Sequence, residues 1–545
     1  MSGDATLSFA RELYKQQIRV DWQDGDGDAY VFCVEDDGAL RVRTASARGV
    51  LYAVYDALDG QPQGEARPEF AIRGLNPCES LNRHSPTQLA RLIDRMGRWR
   101  MNTLIIHSNY GFEQHRSLIE REAALRGIEL VHYTYSNLCF MDGIDPEHFA
   151  RGADGQPMWE RAECETRLCV SDSTGLERYT ANIAQYIEAH PDFERMIFCT
   201  ADGASLCQCP HCRERNAISQ WRDIFNPFFD IAHRQRKLEM LVYIQRFSVP
   251  SDLSRISRLD RVLFDTHLRY PRTALGTSHA WGKHGPRSYY PADIDPLQDP
   301  RGDQPINVYL WDRLVEWRRA FQGQLYVFEN LMIQGIWGCP RPNTSIYLED
   351  LRNFKKLGID GVVYEAFEPG IEPFVPTFNA IALAMWNLNY PYQPTLFEQA
   401  YLASDAADEE FGYHWVGHPH WDAFRGDYSR NELAKLLYEH NRMRSLEPSE
   451  ENIKQATACC RCILDYLLSS QCRESFDWLY ITFNTLRRLH QLGALAPANN
   501  RELAFLESVK LWDFQERYAP SRQVAAEVIY GLQNRLEANQ ATFTA

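Results

Sequence analysis

Ala71-Ile-Arg-Gly-Leu-Asn76 and Asn102-Thr-Leu-Ile-Ile-His107 are two short apolar runs, and between them stand Ser85-Pro86-Thr87-Gln88 and then Leu89, Leu92, Ile93 and Met96. Ser85 offers an N-cap, Pro86 suits the first helical position, and Gln88 completes a capping box. The four apolar residues recur at helical spacing and share one face, as a helix packed on a parallel sheet requires. This is one strand-helix-strand unit, and the pattern repeats along the chain. Further strand candidates are Ile128-Glu-Leu-Val-His-Tyr-Thr-Tyr135, Arg195-Met-Ile-Phe-Cys-Thr200, Leu238-Glu-Met-Leu-Val-Tyr-Ile-Gln245, Arg261-Val-Leu-Phe-Asp-Thr-His267, Gln324-Leu-Tyr-Val-Phe-Glu-Asn330 and Gly361-Val-Val-Tyr-Glu-Ala-Phe367. A helix candidate follows each, with the fifth connection weakly marked. Eight units between residues 68 and 390 predict an α/β chain built on a (β/α)8 TIM barrel. No Gly-rich dinucleotide fingerprint follows the first strand, which argues against an open doubly wound sheet.

Outside the barrel the periodicity changes. Residues 1–67 read as a small α/β domain: a helix over 5–16, strands over 29–34 and 39–44 joined by Glu35-Asp-Asp-Gly38, and a helix over 46–58. Residues 391–545 read as an α-helical C-terminal domain, from helical periods such as Leu433, Leu436, Leu437 and His440, then Phe476, Leu479, Phe483 and Leu486. Such a tail offers a surface for a homo-oligomer or a cover for one side of the barrel. Two connections, 136–174 and 268–305, are long enough to be functional loops, and both leave the C-terminal ends of strands.

Bulk composition narrows the partners. In 545 residues, 44% hydrophobic and 24% charged residues match a folded globular protein and exclude disordered, collagenous and coiled-coil classes. With 73 acidic against 58 basic residues the net charge is −15, which repels nucleic acid and anionic membrane surfaces, so neither is an expected partner. Met1-Ser-Gly-Asp-Ala-Thr-Leu7 has no basic region followed by an apolar run, and a cytoplasmic location is expected. Aromatic residues, at 12%, suit a protein that stacks on sugar faces and suit a large core equally well.

In a TIM barrel the active site is built at the C-terminal ends of the strands. Read at those positions, the sequence supplies Glu79, His107, Tyr133 with Tyr135, Asp202, Tyr243 with Gln245, Asp265 with His267, Glu329 with Asn330, and Glu365 with Glu368. Several carboxylates around one mouth point to acid/base chemistry. Glycoside hydrolysis needs one carboxyl to protonate the leaving oxygen and a second as nucleophile or base. Asp202 on strand four and Glu329 on strand seven are the expected pair, with Glu365 as a third carboxylate able to raise a neighbour's pKa or act as the base. His107, Tyr135, Tyr243, Asp265, His267, Asn330 and Trp337 are expected to contact substrate. Any of these carboxylates could instead cap a helix or pair with Arg. Trp99, Trp311 and Trp317 lie on helices and are expected in the interlayer core, and His132, alternating with apolar residues, is expected to face the helices.

Cys207-Gln-Cys209-Pro-His-Cys212 brings three thiols within reach of one soft cation such as zinc. Cys199, Cys169 or His211 could complete a structural site, and buried free thiols that tighten the loop are the competing reading. Cys459, Cys460 and Cys462 fall at adjacent helical positions facing different ways, which does not make a shared site.

Two stretches carry a family resemblance. Thr44-Ala-Ser-Ala-Arg-Gly-Val-Leu-Tyr-Ala-Val-Tyr-Asp-Ala-Leu58 and Pro68-Glu-Phe-Ala-Ile-Arg-Gly74 resemble the small α/β domain and barrel entry of family 20 hexosaminidases and family 67 alpha-glucuronidases. A closer resemblance is to a related bacterial family catalogued as a domain of unknown function. It is carried by Asp202-Gly203, Cys207 to Cys212, Phe328-Glu329-Asn330, Pro342-Asn343 and Gly358-Ile-Asp-Gly361-Val-Val-Tyr-Glu365. The resemblance covers about the first 390 residues and implies the same fold. It departs from family 20 at strand four, where Asp202 is followed by Gly203 rather than Glu, which argues against substrate-assisted hexosaminidase chemistry. Similarity to the glucuronidases implies carboxylates at strands four, seven and eight.

The function expected from the sequence is therefore a glycoside hydrolase acting on an oligosaccharide or glycoside, with no required cofactor and with a structural zinc at the cysteine cluster left as an open alternative to free thiols. Two rivals stay open: a carbohydrate-binding barrel without catalysis, and an isomerase or lyase on sugar acids, which would depend on a divalent metal.

Overall fold

The computed structural model describes residues 2–25, 27–77, 81, 86–107, 111–134, 140–157, 168–199, 207–215, 217–232, 235–242, 250, 258–266, 269, 273–277, 306–330, 344–365 and 375–393. The expected C-terminal helical domain lies outside the described residues, apart from its first few positions.

The N-terminal unit contains α1 (Ser2–Leu13), β1 (Ile18–Trp22), β2 (Tyr30–Val34), β3 (Leu40–Thr44), α2 (Ala47–Leu58) and β4 (Gln63–Ala66). Its sheet runs in the order β1-β3-β2-β4. Leu40, Val42 and Thr44 are buried while Arg41 and Arg43 are exposed, the alternation of a strand with one covered face. Ser46 caps α2 by accepting from Gly49 N at 3.0 Å. The sequence analysis marks neither β1 nor β4, although β1, Ile-Arg-Val-Asp-Trp, carries the apolar–polar alternation of a strand. β4 is Gln-Gly-Glu-Ala, with almost nothing apolar to signal it, and is held by antiparallel pairing to β2.

The barrel follows. Its elements are β5 (Ile72–Asn76), α3 (Pro86–Arg98), β6 (Thr103–His107), α4 (Phe112–Arg126), β7 (Glu129–Thr134), α5 (Ser173–Ala189), β8 (Arg195–Phe198), α6 (Ala217–Ala232), β9 (Lys237–Val242), β10 (Arg261–Asp265), α7 (Ile306–Ala320), β11 (Gln324–Asn330), α8 (Thr344–Leu357), β12 (Gly361–Glu365) and α9 (Val375–Ala384). The eight strands β5 to β12 are parallel and close into a ring, with β12 paired to β5. The chain is thus a (β/α)8 TIM barrel; seven strands fall within the stretches the sequence marked, and β9 begins one residue before its stretch, at Lys237. Most of the connection between β9 and β10 lies outside the described residues, and so does any helix in the weakly marked fifth unit. Closure is tight at Gly361, where a Cβ would stand 2.1 Å from Ile72 O.

Alternate residues of each strand serve different layers. Ile105, Val131, Ile197, Leu263, Tyr326, Phe328 and Val363 fill the barrel interior, while Leu104, Val262, Leu325, Val327 and Val362 belong to the core between strands and helices. Trp317 is fully buried there, and Trp99 stacks on Phe378 with ring centroids 5.6 Å apart. His132 also faces this layer, stacked on Phe193 and edge-on to Phe112. At the N-terminal end the interior is plugged by ions: Arg195 bonds Glu129 at 2.8 Å and Glu239 at 3.0 Å, Arg261 bonds the same two carboxylates, and Tyr326 Oη donates to Glu239. That end is filled by a buried ionic network, and in barrels of this kind active sites are built at the opposite mouth. No helix among the described residues is long and apolar enough to cross a membrane.

Candidate functional site

At the C-terminal mouth the inward parity of each strand selects the residues. Asn76 continues the series of Ile72, His107 that of Ile105, Asp265 that of Leu263, and Glu365 that of Val363. Asn330 stands opposite Glu365 in the β11–β12 ladder, and Glu365 stands opposite Asn76 in the β12–β5 ladder. Asn76 is 0%, His107 1%, Asp265 3% and Glu365 5% exposed. Polar side chains withdrawn this far from water are costly unless partnered, and a charge brought among them is felt strongly.

His107 packs edge-on against Tyr133, ring centroids 4.4 Å apart, and Tyr133 Oη donates to Cys199 Sγ at 3.0 Å. Burial pushes the His107 imidazole down to about 3, so it stays neutral near pH 7. Of the expected substrate contacts the structure brings His107 and Asp265 to one mouth, together with Glu365 of the expected catalytic carboxylates.

Glu329 lies elsewhere. Tyr326 and Phe328 point into the barrel, so the alternation sends Glu329 the other way, toward the helices. Its Oε2 accepts from Thr266 Oγ1 at 2.8 Å and from Arg269 Nη1 at 3.1 Å. The same guanidinium donates to Asp350 of α8, whose Oδ1 accepts from Leu275 N at 2.6 Å. Burial raises both carboxyls, Asp350 to about 7, while Arg269 between them pulls the other way. A carboxylate in this layer joins strand ends to a helix. The sequence reading placed it at the axis because it counted strand ends and not parity.

Asp202, Tyr135, Tyr243, His267 and Trp337 lie outside the described residues, as does the side chain of Asn330. Sequence reasoning missed Asn76, which it passed over for Glu79, another position outside the described set; the even spacing from Ile72 was the available signal. It also missed Arg269 and Asp350, which no local pattern marks.

The cysteine cluster is a separate feature. Cys169, Cys207, Cys209 and Cys212 present sulfurs that all lie within 4.8 Å of one another. Of the candidate fourth members, Cys199 is inside the barrel and His211 is exposed. Cys169 joins the three from the long connection after β7.

No family model matches the chain, and no curated protein does so. Solved structures similar to it include a glycoside hydrolase family 138 enzyme targeting the pectin rhamnogalacturonan II, at 11% identity and TM-score 0.46, covering 90% of this chain and 68% of that one. A family 20 exo-β-N-acetylglucosaminidase from Vibrio harveyi is similar at 11% identity and TM-score 0.46, covering 72% and 70%. A Flavobacterium johnsoniae family 20 chitobiase is similar at 14% identity and TM-score 0.46, covering 98% and 88%. Similarity at this level carries no argument about reaction or substrate.

Proposed function

We propose that the protein is a glycoside hydrolase whose reaction takes place at the C-terminal mouth of the barrel. The observation that supports this reading is the buried carboxylate of Glu365 on β12, at an inward position of that mouth together with Asp265, Asn76 and neutral His107. Glycosidic bond cleavage uses two carboxyls in different environments, and a dry polar ring is where such a difference is maintained. In this proposal Asp202 is the general acid, as the sequence suggests, and Glu365 replaces Glu329 as nucleophile or base. Asp265, Asn76 and His107 hold substrate hydroxyls, and Tyr135, Tyr243, His267, Asn330 and Trp337 remain proposed substrate contacts. Glu329 is a positioning residue that acts through Arg269.

The test is incubation of wild type, Asp202→Asn and Glu365→Gln with aryl glycosides, uronides and natural oligosaccharides, without added metal, following released sugar by mass spectrometry. Product from wild type and its loss in both folded variants is the expected result. A folded wild type inactive across the panel, yet retaining oligosaccharide in a binding assay, would replace the hydrolase with the carbohydrate-binding reading.

A further inference from the structure

We propose that Cys169, Cys207, Cys209 and Cys212 form a four-thiolate structural zinc centre that clamps the long connection after β7 to the segment after β8. The proposal is independent of the hydrolase reading.

The sulfur spacing matches the edge of a tetrahedral site. With Zn–S bonds of about 2.3 Å, the edge between two sulfurs of a tetrahedral site is about 3.8 Å. Cys169 Sγ lies 3.8 Å from Cys209 Sγ and 3.8 Å from Cys212 Sγ, and all four sulfurs are mutually within 4.8 Å. A disulfide joins sulfurs in pairs at about 2.05 Å and gives no reason for a fourth to gather at the same point. An ion at the centre does.

The surroundings suit thiolates. Arg151 N donates to Cys207 Sγ at 3.4 Å and Cys212 N to Cys209 Sγ at 3.4 Å, while Ser171 Oγ lies 3.0 Å from Cys212 Sγ. Donors aimed at sulfur orient ligands and offset their charge. Cys207 and Cys212 are buried, and Gln220 of α6 fixes the turn that carries them by donating to Cys212 O at 2.9 Å. Four soft sulfur ligands gathered at this spacing suit a structural zinc, whose sites are closed by four protein ligands.

What the ion would hold together is two stretches far apart in sequence. Cys169 N donates to His148 O, and Gln208 N donates to Arg151 O at 2.7 Å, so the connection after β7 lies directly on the cysteine turn. Cys207 follows Asp202 by five positions in the chain.

The full-length protein, produced with zinc in the medium and passed over a weak chelating resin, is analysed for metals by plasma mass spectrometry. About one zinc per chain is expected for wild type and for Cys33→Ser, whose cysteine lies in β2, and markedly less for Cys169→Ser and Cys209→Ser. Exchange of cobalt into wild type provides a reading that needs no variant to fold: visible ligand-field bands of a tetrahedral site with sulfur-to-cobalt charge transfer are expected. Metal-free wild type with four reactive thiols would overturn the proposal, as would iron in place of zinc, a cobalt spectrum without sulfur ligation, or full zinc retention by folded Cys169→Ser.

Discussion

Arg269 Nη1 lies 3.1 Å from Glu329 Oε2, with the two side chains only 1% and 2% exposed. The same guanidinium serves Asp350 of α8, so one buried cation is shared by two buried carboxyls. Such an arrangement ties the ends of β10 and β11 to the helix behind them and leaves the mouth to Glu365 and Asp265.

The contrast between the two glutamates is therefore measurable. Glu365→Gln should lower turnover by at least about 100-fold while leaving thermal unfolding close to wild type. Glu329→Gln keeps a hydrogen-bonding oxygen for Thr266 but weakens the ion pair, and should cost about 1–3 kcal/mol of stability with turnover kept within about tenfold. Rates and calorimetry on both variants check this. A Glu329→Gln protein as stable as wild type and inactive would return Glu329 to the catalytic role the sequence suggested.

Arg73, on the first barrel strand, meets Asp28 of the N-terminal unit at 2.7 Å, with both side chains buried, and Arg48 approaches the other Asp28 oxygen at 2.7 Å. Burial alone would raise this carboxyl, but Arg48 and Arg73 outweigh it and hold it at about 2 against an ordinary 3.8. A depressed carboxyl contributes stability above its unfolded pKa and loses it as pH falls toward the folded value, here from about 4 to about 2. Asp28→Asn leaves Arg73 buried without its anion and should cost about 3–5 kcal/mol at neutral pH. Urea unfolding at pH 7 measures the loss, and a difference below about 1 kcal/mol would show that the bridge does not hold the two units together.

His132 behaves in the opposite sense. Burial, with Arg116 and His190 adding to it, pushes its imidazole down to about 3 from an ordinary 6.5. It stays neutral in the fold, whereas the unfolded chain takes up a proton below 6.5, so stability falls as pH drops through that window. At about pH 5 the shift amounts to about 2 kcal/mol. His132→Phe, which preserves the stack on Phe193, should lose less thermal stability than wild type between about pH 7.5 and pH 5. Parallel curves for the two proteins would remove His132 from the acid response.

Barrel closure offers a test of the fold itself. Gly361→Ala would place a Cβ 2.1 Å from Ile72 O, a backbone atom that cannot swing aside. A loss of about 3 kcal/mol or more is expected in denaturant unfolding. Gly3→Ala on α1, where the added methyl would meet only Ala47 Cβ at 3.9 Å, should be neutral or slightly stabilising.

Much of the architecture was written in local pattern. Short apolar runs separated by helical periods marked all eight barrel strands, and the turn at Glu35-Asp-Asp-Gly38 marked the hairpin of β2 and β3. β4 escaped because its residues bury little and its place depends on backbone pairing to β2. His107, Asp265 and Glu365 were legible because each is a polar residue at a strand end where the run before it is apolar.

The sequence by itself determined that parallel strands would alternate with helices and that polar groups would end those strands, since both follow from spacing along a few neighbouring residues. Which neighbour faces the axis was decided by the tertiary structure. Strands of a barrel are buried on both faces, so Leu325-Tyr-Val-Phe328 is apolar throughout and carries no alternation to show that Glu329 turns outward. The choice of Cys169 over Cys199 as partner of the Cys207–Cys212 turn was likewise beyond reach. It depends on the connections after the neighbouring strands β7 and β8 meeting, and contacts between segments distant in sequence are set by the tertiary fold.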